Sequence, residues 1–132
     1  MAHNYCEGLP KNVTRVFKPE IKDCDRFHIN KKTNALPYLN RYHNAVHFDD
    51  QLVARVLATL KQQDLLKNTV VIITSDHGNS FNDNDDGYWG HASGFVPYQT
   101  HVPMVIHWPH ICLLYTSPSP RDATLSRMPS SA

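Results

Sequence analysis

The most constraining feature of this sequence is a short β-branched run, Thr69-Val70-Val71-Ile72-Ile73-Thr74-Ser75, that follows a long stripe of helical spacing. The run has no polar alternation, so it predicts a strand buried on both faces of a parallel sheet. Ahead of it, Val46, Asp50, Val53, Leu57 and Leu60 recur at steps of four, three, four and three, which predicts a helix from about Arg41 to Gln63. Lys61 and Lys67 suit the carbonyl end of that helix, and Asn68 marks its expected stop. Asp50 falls on the apolar stripe and is expected as a buried structural carboxylate that needs a hydrogen-bonding partner.

A helix leading into a buried strand is half of a βαβ unit. A second strand candidate, Val102 to Trp108, lies beyond a polar loop running from Asn79 to about Gln99 and is bounded by Pro109. The expected fold class is therefore α/β, a three-layer sandwich with a mainly parallel sheet, of which this chain holds two strands and one covering helix. Residues 1 to 40 are broken by Pro10, Pro19 and Pro37 and read as an extended lead-in with room for one short strand. Residues 111 to 132, rich in Ser, Pro and Arg, show neither period and read as a non-native or disordered tail.

The chain has 132 residues, which leaves room for one domain at most. Its 41% apolar and 19% charged residues fit a globular segment. Net charge is +1, and Lys and Arg form no stripe that could track phosphates, so nucleic acid is not expected as a partner. No run approaches the roughly 18 apolar residues of a membrane span, and the N-terminus has no signal-peptide pattern. Cys6, Cys24 and Cys112 lack metal-knuckle spacing. Cys6 and Cys24 can pair in an oxidising compartment or stand as two free thiols.

The chemistry is concentrated where the β-branched run ends in Asp76-His77-Gly78. In open α/β sheets the ligand crevice lies beyond the carboxyl ends of the strands, so these side chains are presented to a substrate. A carboxylate beside a neutral imidazole suits a divalent cation, and Gly78 permits the sharp turn that lets the two converge. His43, His47 and Asp50 share one helix face, but position 44 is Asn where a metalloprotease helix needs Glu, and packing or exposure is their expected role. Asn82 to Gly87 has calcium-loop flavour, yet Asn82 and Ser93 stand where acids are required, so an EF-hand is rejected and a solvated acidic loop remains. Tyr88 and Trp89 are expected to pack.

The placement of Asp76-His77-Gly78 after helix and strand, together with Tyr42-His43-Asn44-Ala45-Val46, Tyr88-Trp89-Gly90-His91 and Gln99 to Pro109, resembles the sulfatase-like branch of the alkaline phosphatase superfamily. Within that branch the string is most similar to inner-membrane, periplasm-facing proteins of Gram-negative bacteria linked to lipopolysaccharide control. The resemblance implies that residues 1 to 110 form the C-terminal portion of a sulfatase-like domain. It also implies that Asp76 and His77 are ligands of a divalent metal, one of Zn, Mn, Mg or Ca. The catalytic nucleophile, further acidic ligands and membrane-spanning helices would lie upstream of this chain.

His91 is expected to contact a substrate anion or to brace a metal ligand, against the alternative of a plain surface-loop histidine. Two functions follow. One is hydrolysis or transfer of a sulfate or phosphate ester, with this piece inactive alone. The other is a non-catalytic envelope module that keeps the fold and binds a lipid headgroup or an envelope protein.

Overall fold

The computed structural model describes residue 6, residues 9 to 24 and residues 27 to 109. The expected tail at 111 to 132 lies outside the described residues. A long helix α1 (Leu36–Gln62) is followed by strand β1 (Val71–Thr74), a small pair β2 (Ser80–Phe81) and β3 (Trp89–Gly90), a short helix α2 (Pro97–Thr100) and strand β4 (Met104–His107).

Helix α1 begins five residues before the expected Arg41, and the reason is Pro37. A proline in the first helical turn loses no backbone bond and arrives with its φ already helical, so Pro37 starts the helix instead of breaking the lead-in. Asn34 Oδ1 accepts the Leu36 N–H at 3.1 Å and satisfies one of the donors that a helix start leaves over. At the other end Asp64 adopts a left-handed φ of 57°. Its N–H bonds the Lys61 carbonyl at 3.1 Å, while the Leu65 N–H bonds the Leu60 carbonyl at 2.9 Å. These two bonds form a Schellman motif, which closes the helix near the expected Gln63. Asn68 instead ends a separate 3₁₀ turn, Leu66–Asn68.

Burial on α1 departs from the expected stripe. The covered residues are Tyr38, Asn40, Asn44 and Ala45 in the first half of the helix, because that is where the lead-in and the β2–β3 pair lie. Trp89 meets Tyr38 edge-on with ring centroids 5.4 Å apart, and Phe81 meets Tyr42 at 5.3 Å. Val53, Leu57 and Leu60 are half-buried, while Asp50 is exposed. The expectation that Asp50 is a buried carboxylate is therefore corrected.

Described residues 9 to 24 hold no strand; side chains of α1 fix their path. Asn44, at 0% exposure, accepts the N–H groups of Val16 and Phe17 through one oxygen, both at 2.9 Å. Its amide nitrogen donates to the Phe17 carbonyl at 3.0 Å and to Glu20 at 2.9 Å. Asn40 donates to the Pro19 carbonyl, and Arg41 to the carbonyls of Ile21, Lys22 and Cys6. Cys6 and Cys24 form a disulfide with Cα atoms 5.4 Å apart, which settles the pairing that spacing left open.

Strand β1 pairs with β4 in antiparallel register, Val71 opposite His107 and Thr74 opposite Met104. The parallel βαβ pairing expected for this run is thus corrected. Among the described residues the partner comes from after the loop region, and the chain returns along β1 in the opposite sense. Burial along β1 alternates, with Val71 and Ile73 half-covered and Ile72 60% exposed, so one face of this ribbon is open. The stretch from Asn79 to Gln99, expected as loop, contains β2, β3 and α2. Ser80 pairs with Gly90 and Phe81 with Trp89 around the Asn82–Tyr88 connection.

Candidate functional site

The chain leaves β1 at Thr74, whose hydroxyl donates to the Pro103 carbonyl at 2.8 Å and ties the strand end to the entry of β4. The next four residues turn tightly. Ser75 Oγ donates to the His77 carbonyl at 2.7 Å, and Asp76 Oδ1 accepts the His77 N–H at 3.0 Å. Gly78 donates its N–H to the Gln99 carbonyl at 2.9 Å. A Cβ at Gly78 would stand 2.1 Å from the Tyr98 carbonyl oxygen, so close backbone approach, not a positive φ, requires glycine there.

That turn projects two side chains. The Asp76 carboxylate is 82% exposed and the His77 ring 26% exposed, with Asp76 Oδ2 and His77 Nε2 3.7 Å apart. His77 Nδ1 lies 3.0 Å from the Gly78 carbonyl. A carbonyl oxygen can only accept, so this bond places a proton on Nδ1 and leaves Nε2 as the ring nitrogen held beside the Asp76 carboxylate.

His91 arrives from the other side. Gly90 and Ala92 both have positive φ, 72° and 59°, so the backbone reverses on either side of it. Its ring stacks on His77 with centroids 4.1 Å apart and planes 22° from parallel. The structure thus brings together Asp76, His77 and His91, the three residues singled out from the sequence.

Gln99 escaped sequence reasoning and sits beneath all of this, 4% exposed. Its Nε2 donates to Ser80 Oγ at 3.0 Å and Ser93 Oγ at 2.6 Å, and its Oε1 accepts the N–H groups of Ser93 at 3.3 Å and Gly94 at 3.2 Å. An amide side chain offers two donors and one two-pair acceptor, and all four positions are used. A glutamine in a polar stretch carries no periodic signal that marks it as buried.

The acidic loop spends its side chains on its own backbone. Asp83 accepts from Phe81 N, Asn82 from Gly87 N and Asp86 from Tyr88 N, each at 2.8 Å. These are turn-forming bonds. On α1, His43 packs on Phe17 with centroids 5.2 Å apart and His47 contacts Gln51, as expected for packing or surface residues.

The donor set at the strand end fits one side of a divalent-metal site: an imidazole nitrogen whose partner nitrogen is fixed by a carbonyl, next to a carboxylate. Two donors are fewer than a bound metal needs. Among the described residues no group of three His, Cys, Asp or Glu side chains could hold one.

The model of the Sulfatase family matches residues 2 to 113, most of the chain, and the chain belongs to that family. The family carries an alkaline phosphatase-like α/β fold and is generally metal-dependent. The chain is also 28% identical over 109 residues to arylsulfatase K of the dog, Canis lupus familiaris, a match covering 82% of this chain and 17% of that relative. The chain therefore spans less than a fifth of that relative's length. No solved structure gives a significant match.

Proposed function

We propose that this chain supplies one metal-holding strand end of a sulfatase-type hydrolase acting on sulfate or phosphate esters, with Asp76 and His77 as the ligands and His91 beside the substrate anion. The observation that carries the reading is the bond from His77 Nδ1 to the Gly78 carbonyl, which leaves Nε2, 3.7 Å from Asp76 Oδ2, as the ring nitrogen that can take a metal. Family membership and the similarity to a relative named arylsulfatase support a sulfate ester as substrate class.

When bound, a divalent cation would draw off negative charge that gathers on the ester oxygens. The remaining tasks fall to the chain's own residues. Asp76 contributes the charge that attracts a cation to the strand end. His77 contributes a nitrogen already oriented, so little rotamer freedom is lost on binding. His91 covers one face of the His77 ring and places a hydrogen-bonding imidazole where an anion would lie.

The finer reading is that the parent is YejM-like, anchored in a bacterial inner membrane and facing the periplasm. Its support is the resemblance of the residue string to that protein and the Cys6–Cys24 disulfide, which suits an oxidising compartment. Among the described residues no helix is long and apolar enough to cross a membrane.

The test is calorimetric titration of Zn²⁺ and Mn²⁺ into the complete parent protein and into its Asp76→Asn, His77→Ala and Asp50→Asn variants. Asp76→Asn keeps the shape and removes the charge, and it should weaken binding about tenfold or more, as should His77→Ala. Asp50 is exposed on α1 and its variant should match wild type in both affinity and melting temperature. Equal affinity for wild type and Asp76→Asn would remove the central claim.

A further inference from the structure

Among the features the proposed site does not absorb, the saturated amide of Gln99 stands out, because its two ends grip the two arms of that site. Its backbone carbonyl holds the N–H of Gly78, the residue after His77. Its side-chain oxygen holds the N–H groups of Ser93 and Gly94, just after His91 and the positive-φ Ala92. Its side-chain nitrogen adds Ser93 Oγ and reaches Ser80 Oγ, which is fully buried in β2. Nothing else among these contacts joins both arms through a single residue.

We infer that Gln99 is a positioning residue that sets the His77–His91 spacing by clamping the backbone behind each ring. The Oε1 atom must face two N–H groups, so the amide has one allowed flip, and its nitrogen is then aimed at the two serine hydroxyls. Four hydrogen bonds on a buried group fix its rotamer. Both arms are otherwise short loops, and a loop carrying a site residue is only as exact as what braces it. The inference rests on the proposed site in one respect only, that the two imidazoles act together there.

The experiment uses the full chain with ¹³C-labelled histidine. Nuclear Overhauser contacts between the His77 and His91 rings, and their ring-current shifts, report the stacking directly, and metal titration of the complete parent protein is run beside them. Gln99→Leu removes all four side-chain bonds and should abolish the inter-ring contact and weaken metal binding about tenfold. Ser93→Ala, at an exposed residue, removes one bond, should fold with a melting temperature within about 2 °C of wild type, and should cut the inter-ring contact at least twofold. Should Gln99→Leu fail to fold, Ser93→Ala decides alone. Inter-ring contact at wild-type strength in Ser93→Ala, or in a folded Gln99→Leu, overturns the positioning role. A complete parent protein that binds no metal would instead sink the metal reading, while the ring measurement still decides Gln99.

Discussion

Adding one methyl at Gly78 should be among the most damaging small changes in the chain. The Cβ of Gly78→Ala would lie 2.1 Å from the Tyr98 carbonyl oxygen and 3.3 Å from that of His101, both backbone atoms that no rotamer change can move aside. Restoring ordinary contact requires the strand-end turn and α2 to separate by more than an ångström. That displacement breaks the 2.9 Å bond from Gly78 N to the Gln99 carbonyl. Overpacking typically costs about 1 to 3 kcal/mol and the lost bond about 1 more, so a loss of about 2 to 4 kcal/mol is expected. For a domain of this size that lowers the melting temperature by roughly 10 °C or more. Gly94→Ala is the control: its methyl would sit 3.2 Å from the Tyr88 ring, a side chain that can swing away, and should cost less than about 1 kcal/mol. Thermal and urea melts of both variants make the comparison. A Gly78→Ala chain melting within about 2 °C of wild type would refute the claim that close backbone approach demands glycine there.

Asn44→Ala should cost about 3 kcal/mol, because it strips two N–H groups, a carbonyl and Glu20 of partners at a fully buried point; faster hydrogen exchange at the Val16 and Phe17 amides is the accompanying sign. Reducing the Cys6–Cys24 bond, which closes a sequence separation of 18 residues, should lower stability by about 3 kcal/mol, read from urea melts with and without reductant.

The helix, both longer strands and the strand-end position of Asp76 and His77 were legible because each leaves a local mark: a period, a β-branched run, or a charged pair at a strand end. The direction of strand pairing was not. A β-branched run says that a strand is wanted and is silent on which neighbour arrives, and here that neighbour is β4, antiparallel. Pro37 reads as a break because the apolar spacing of α1 begins later than its backbone does. Asp50 reads as buried because its position falls on the stripe, although the buried face of the helix is its first half. Asn44 and Gln99, the two amides that organise the most backbone, were invisible for a common reason. A polar residue among polar residues looks like surface until the partners that satisfy it are known.

Asn40, Arg41 and Asn44 grip the lead-in almost wholly through its main chain, at the amides of Val16 and Phe17 and the carbonyls of Phe17, Pro19, Ile21 and Lys22. Such a grip does not discriminate between side chains. The identities of residues 16 to 22 can drift among relatives while the route of the segment stays fixed, since the information for that route is stored one helix away. Sequence identity will therefore understate structural kinship in this stretch, and three positions on α1 are a better guide to it than the segment's own letters.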